Sequence, residues 1–175
     1  AYVFVRSGTN WTQQAYLKAS NTYLYAQFGN SVAVSGDTVV VGAFGEGSTT
    51  RGVNSSPDNG WAGGYNPGAA YVFVRSGTTW TEQAYLKASN AGANDGFGHS
   101  VAVSGDTVVV GAPWEDTSTK RVTLPNEDSP NSGAAYVFVR IGTTWTEQAY
   151  LKATNAGEDD YFGYSVAVSG ARVVV

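Results

Sequence analysis

Alternating and uninterrupted apolar runs take turns along this chain, and each predicts a strand. Ser100-Val-Ala-Val-Ser104 alternates small polar and apolar residues, as a half-buried strand does. Gly105-Asp106 follows as a two-residue turn of the Gly-X hairpin kind. Thr107-Val-Val-Val-Gly-Ala112 is apolar on both faces, so both faces need cover. A long loop then leads into a strand of the type Ala70-Tyr-Val-Phe-Val-Arg75. The short turn Ser76 to Thr79 reverses the chain into Trp80 to Lys87. In that strand Trp80, Glu82, Ala84 and Leu86 share one face, and Thr81, Gln83, Tyr85 and Lys87 share the other. No stretch keeps a helical period of 3.6 residues.

The pattern recurs. Tyr2, Tyr71 and Tyr136 are equivalent, 69 and 65 residues apart. From each Tyr to the Phe of a following Phe-Gly is 26 residues in all three copies. The length differences therefore fall in the segments after Gly42-Ala43 and Gly111-Ala112. Four short antiparallel strands per repeat, apolar on both faces, describe a propeller blade, in which each sheet packs on its neighbours. The expected fold is all-β: a single module over 1–175 with repeats 1–69, 70–134 and a truncated 135–175. It holds three blade equivalents, one of them split between the termini. A sandwich of hairpins is the alternative. Propellers close with about four to eight blades. Three are too few, so the expectation is a homodimer closing six blades or a part of a longer propeller. The paired strands would be Val173 to Val175 and an Ala-Tyr-Val-Phe-Val segment.

Composition narrows the class. Charged residues make up 14% and the chain holds 22 Gly, with Val, Tyr, Thr and Trp abundant, as in β proteins. A net charge of -4 argues against a nucleic-acid footprint, which needs a basic patch. No apolar run approaches the ~18 residues of a membrane helix. The absence of Cys removes disulfides, Cys-ligated zinc and thiol catalysis, and fits a secreted or cell-surface protein. The chain has no Met, opens inside a strand and ends inside one, so a processed chain or an excerpt is expected.

Phe97-Gly98 with Gly111-Ala112-Pro113 carries both halves of a known signature. Phe28-Gly29 with Gly42-Ala43 repeats it with Phe44 in place of Pro, and Phe162-Gly163 supplies the first half again. These segments resemble the FG-GAP repeats of the integrin α-subunit propeller and its bacterial relatives. The resemblance implies a propeller with a binding or adhesion role and no catalysis. In that family a calcium loop often joins the first two strands of a blade. Here the connection is only Ser35-Gly36-Asp37, Ser104-Gly105-Asp106 or Ser169-Gly170-Ala171. One Asp cannot supply the six or more oxygens that calcium takes. No cofactor is expected, and Asp37 and Asp106 are turn residues.

In an up-and-down blade the tight turns share one rim. The long connections, 43–69, 112–134 and 89–96 with its counterparts, share the other. That second rim carries Glu46, Asp58, Asp95, Glu115, Asp116, Glu127, Asp128, Glu158, Asp159 and Asp160. Loops on a rigid scaffold are where binding residues gather. Trp61, Tyr65, Trp114, Glu115 and Asp116 are the candidate ligand-binding residues. Loop aromatics stack on sugars or anchor proteins, or fold back to cap their own loop. A protein ligand is expected by resemblance. A lectin-like module and a purely structural repeat are the alternatives. Asn155, Glu158, Asp159 and Asp160 crowd oxygens and are weak metal candidates beside the bland reading of a solvated acidic loop. Trp11, Trp80 and Trp145 recur in the frame and are expected to pack. His99, the only His, has no catalytic partner that the sequence specifies.

Overall fold

The computed structural model describes residues 1–22, 24–58, 66–117 and 129–175, and all twelve of its regular elements are strands. They are β1 (Tyr2–Ser7), β2 (Asn10–Tyr16), β3 (Ser31–Ser35), β4 (Thr38–Ala43), β5 (Ala69–Ser76) and β6 (Thr79–Leu86). The series continues with β7 (Ser100–Ser104), β8 (Thr107–Ala112), β9 (Ala134–Ile141), β10 (Thr144–Leu151), β11 (Ala167–Ser169) and β12 (Arg172–Val174). Two complete antiparallel blades form, β3-β4-β5-β6 and β7-β8-β9-β10. Hairpins β1-β2 and β11-β12 are separate two-stranded sheets, so within one chain they do not pair with each other.

The doubly apolar Thr-Val-Val-Val strand finds cover on both faces. Val108 and Val110 of β8 turn toward Val40, Val72 and Leu86 of the preceding blade, in a core that also takes Phe97, Tyr136, Phe138 and Trp145. Val109 faces the other way, into a cluster with Val137, Val168 and Val173. Val39 and Val41 of β4 likewise meet Leu17 and Val3 of the first hairpin. The cores lie between blades, which is why no strand shows a polar face over its whole length. Each joint between a Tyr-Val-Phe-Val strand and its Trp-bearing partner carries a register shift, between Val72 and Phe73 and again between Glu147 and Ala149. Such bulges increase local twist.

The Phe-Gly and Gly-Ala segments meet across each joint. The Gly98 N–H donates to the Gly111 carbonyl of its own blade at 3.1 Å, while its carbonyl accepts the Ser31 hydroxyl of the preceding blade at 2.7 Å. Gly163 repeats the second bond with Ser100 at 2.8 Å. Phe97 packs edge-on against Tyr136, as Phe28 does against Tyr71. Among the described residues no helix is long and apolar enough to cross a membrane.

Candidate functional site

The two rims are built differently. On the tight-turn rim, Asp37 and Asp106 are tied down. The Arg75 Nε donates to Asp37 Oδ1 at 2.7 Å and the Arg140 Nε to Asp106 Oδ1 at 2.8 Å. Turn follows turn around the rim, with the Gly105 N–H on Ser35 Oγ and the Gly170 N–H on Ser104 Oγ, both at 3.1 Å. These Asp side chains pair with arginine in their own blade.

The opposite rim holds the long connections, and its acidic residues divide into two sets. Glu46 and Glu115, each 2% exposed, turn inward. Glu46 Oε2 accepts the Lys87 ammonium at 2.8 Å and the Tyr85 hydroxyl at 3.0 Å, and Oε1 accepts the Asn21 amide at 3.0 Å. Glu115 repeats the arrangement with Lys152 at 2.6 Å, Tyr150 at 3.0 Å and Asn90 at 3.0 Å. The Asn oxygens in turn accept Tyr71 at 2.6 Å and Tyr136 at 2.7 Å. Each asparagine comes from the unit before, so the network fastens one blade to the next. Glu115 is therefore not offered to a ligand, contrary to the sequence expectation. A carboxylate flanked by a lysine two strands away in the same blade satisfies itself in the interior. Burial pushes the Lys87 ammonium down from its ordinary value against the pull of Glu46. It pushes the Tyr71, Tyr85, Tyr136 and Tyr150 hydroxyls up. Losing one partner of such a pair costs about 3–5 kcal/mol, because a charge is left buried alone.

Asn155 follows Lys152 as Asn90 follows Lys87, so it holds the place of the fastening asparagine. Asp159 Oδ1 accepts the Asn131 amide at 2.9 Å and the Tyr161 hydroxyl at 3.0 Å. Asp160 Oδ2 accepts the Gly157 N–H at 2.7 Å, closing a small turn that Asp95 and Gly92 repeat at the same distance. Glu158 is exposed. Among the described residues no three His, Cys, Asp or Glu side chains converge as a metal site.

Trp61 and Tyr65 lie outside the described residues. Trp114 and Asp116 do come together, at the lip of a cup of about 490 Å³ on this rim. Tyr25 and Phe44 supply its other rings, and Gln27, Asn66, Asn94 and Asn131 its amides. Loops of the first and second repeats contribute. Trp114 is held from behind: its backbone N–H donates to the Asp95 carbonyl at 3.3 Å, and its ring lies so close over Gly96 that a side chain there would collide with it. Its ring centroid is 5.7 Å from Phe44 and 5.1 Å from His99, whose ring is 4.6 Å from Tyr164. His99 is thus a member of an aromatic row. Its buried Nδ1 has no hydrogen-bond partner among the described residues. The Asn131 N–H donates to Asp116 Oδ1 at 2.6 Å. Tyr25, Gln27, Asn94 and Asn131 all take left-handed backbone, with φ of 67°, 55°, 63° and 53°. Such residues cost free energy and gather at ligand sites. Beneath the cup, burial raises the Asp95 carboxyl to about 7, helped by Glu115 and Asp116 nearby.

The sequence offered two overlooked signals. Phe44 stands where the middle repeat has Pro113, and Tyr25 sits in a Tyr-Leu-Tyr run where the other repeats have Asn and Asp.

The comparisons with known proteins meet this geometry directly. A family model described as FG-GAP repeat matches residues 11–73, 80–138 and 145–175. The chain belongs to the FG-GAP repeat family. Its four-stranded antiparallel sheets are the propeller blades of that family. A search of curated proteins returns no match. FG-GAP repeats are typical of extracellular or surface proteins and of binding or adhesion modules, and the family is generally non-enzymatic.

Proposed function

We propose that this FG-GAP chain is a non-catalytic recognition module, secreted or displayed at the cell surface, that holds its ligand on the long-loop rim. The observation that supports it is the cup. Rings, amides and a carboxylate from two successive repeats converge there in a volume within the range of small-molecule sites, about 300–1,000 Å³. The opposite rim offers short turns whose carboxylates are already paired with arginine. No metal is invoked, because Glu46, Glu115, Asp116, Asp159 and Asp160 are engaged in hydrogen bonds to the protein itself. Adhesion through this rim accords with the family.

The test is binding of the fluorescently labelled chain to intact cells, followed by flow cytometry. Trp114→Ala with Asp116→Ala should abolish staining, and Asp106→Ala on the opposite rim should leave it unchanged. Loss through Asp106→Ala with retention through the cup variants would place recognition on the other rim.

Assembly belongs to the same proposal. Hairpin β11-β12 is the first half of a blade and β1-β2 the second half. Tyr2, Phe4 and Val174 are exposed along them. A second copy of the chain, or a further repeat in a longer polypeptide, supplies the missing half. With two copies the count is six blades, inside the usual range.

A further inference from the structure

We infer that the cup takes a neutral sugar, one pyranose ring laid on the Trp114 platform with its hydroxyls held by the surrounding amides. The inference rests on the long-loop rim being the recognition surface and adds the chemical class of the ligand.

Charge removes one class first. Among the described residues no Lys or Arg lines the cup, and Asp116 contributes a carboxylate, so phosphates, sulfates and acidic sugars meet repulsion without a counter-ion from them. Ring spacing removes a second. A quaternary ammonium needs rings standing apart around it, whereas Phe44 and Trp114 are in contact, 5.7 Å between centroids and tilted by 54°. They form one continuous apolar surface and leave no slot between them. The platform is partly buried and held from behind by Gly96 and His99. A protein hot spot is the third class, and it favours a desolvated apolar centre within a contact of about 800 Å² per partner. Here the depression around the platform carries the amides of Gln27, Asn66, Asn94 and Asn131 and the carboxylate of Asp116.

What remains is a ligand with one apolar face and many hydroxyls. The C–H face of a pyranose is weakly positive, and an aromatic face is negative. Each hydroxyl both donates and accepts, and an Asn or Gln amide offers both functions while Asp116 adds an acceptor. Asn94 is exposed, and neither its amide nor that of Gln27 makes a hydrogen bond among the described residues, so both are available. The left-handed backbone at Gln27, Asn94 and Asn131 fixes where these amides start, which reduces the entropy lost on binding.

An array of neutral and acidic glycans probed with the intact chain tests this directly. Neutral glycans should bind, and terminal sialic acid or sulfate should weaken binding. Binding should fall about tenfold or more in Trp114→Ala and recover in Trp114→Phe, which keeps a ring. Asn94→Gly, which removes the amide and keeps the left-handed backbone free of strain, should weaken it as well. Thermal melts of each variant separate loss of binding from loss of fold. An array on which the chain binds no neutral glycan overturns the inference, as does binding that Asn94→Gly and Trp114→Ala leave intact. Should cell staining survive removal of glycans and vanish with protease, the ligand is a protein. The rim would then stand as the recognition surface and the sugar would not.

Discussion

Gly42 of one blade lies directly against the carbonyl of Gly98 in the next. A Cβ on Gly42 would fall inside that oxygen and the Ser31 hydroxyl that bonds to it. Gly111 and Gly163 repeat the relationship one blade on. The two halves of the FG-GAP motif are thus the two sides of one inter-blade joint. Glycine is required because a backbone, not a side chain, fills the space.

Gly111→Ala should therefore be among the most damaging single-methyl changes in the chain. The neighbour is a main-chain carbonyl that cannot rotate away, so the cost is expected at or above the usual 1–3 kcal/mol of overpacking. Gly77→Asn is the control. That turn residue has left-handed φ but open space around it, and Asn tolerates the conformation. Denaturant midpoints should drop sharply for the first and little for the second. Equal midpoints would remove the joint from the account.

The frame tryptophans should not behave alike. Trp145 is 2% exposed and its Nε1 donates to Gln83 of the preceding blade at 2.8 Å, whereas Trp11 is 65% exposed. Trp145→Ala should cost about 3–5 kcal/mol. Trp11→Ala in the isolated monomer should cost under about 1 kcal/mol, as surface changes do. Similar losses in urea melts of both variants would show that Trp11 is covered in solution.

Much of this was readable in the residues. The strands, the repeat and the two rims follow from alternation, from Gly-Asp turns and from the doubly apolar Thr-Val-Val-Val run, because burial between blades dictates that pattern. The fates of the acidic residues were not readable. Glu115 and Asp116 are adjacent in the sequence, yet one is buried on Lys152 and the other lines the cup. That difference depends on Asn90 and Tyr150, 25 and 35 residues away. Trp11 illustrates the same limit, since its packing depends on whether a blade stands beside it. Phe44 and Tyr25 were visible only as departures from the repeat, and their meeting with Trp114 is a product of three-dimensional closure.

Asp95 should make stability pH-dependent in a definite direction. Its carboxyl is raised by burial, then by Glu115 and Asp116, to about 7, above its unfolded value. The folded state then holds a proton the unfolded state has released, so stability falls as pH rises through the window up to about 7. Asp95→Asn removes the charge, and its amide oxygen can still accept the Gly92 N–H. The gain in melting temperature from this substitution should be small near about pH 4 and grow toward about pH 8. A constant difference across that range would contradict the assignment.

Copies of the chain should join edge to edge. Val39 pairs with Phe73 in the complete blade, and Val173 and Phe4 hold the equivalent places in the hairpins. The chain has no Cys, so a mixture of Phe4→Cys and Val173→Cys variants offers a clean readout under mild oxidation. A cross-linked heterodimer on a non-reducing gel is expected. Absence of cross-linking, with a monomer mass by light scattering, would contradict it.

Amide hydrogen exchange on the intact chain, with and without a cell-surface glycoprotein fraction that it binds, tests the location of recognition most directly. Protection should appear at residues 24–27, 44–46, 93–96, 114–116 and 129–131. The tight turns at 35–38, 76–79, 104–107 and 141–144 should exchange as before. Protection confined to those turns, with the cup residues unchanged, would contradict the account.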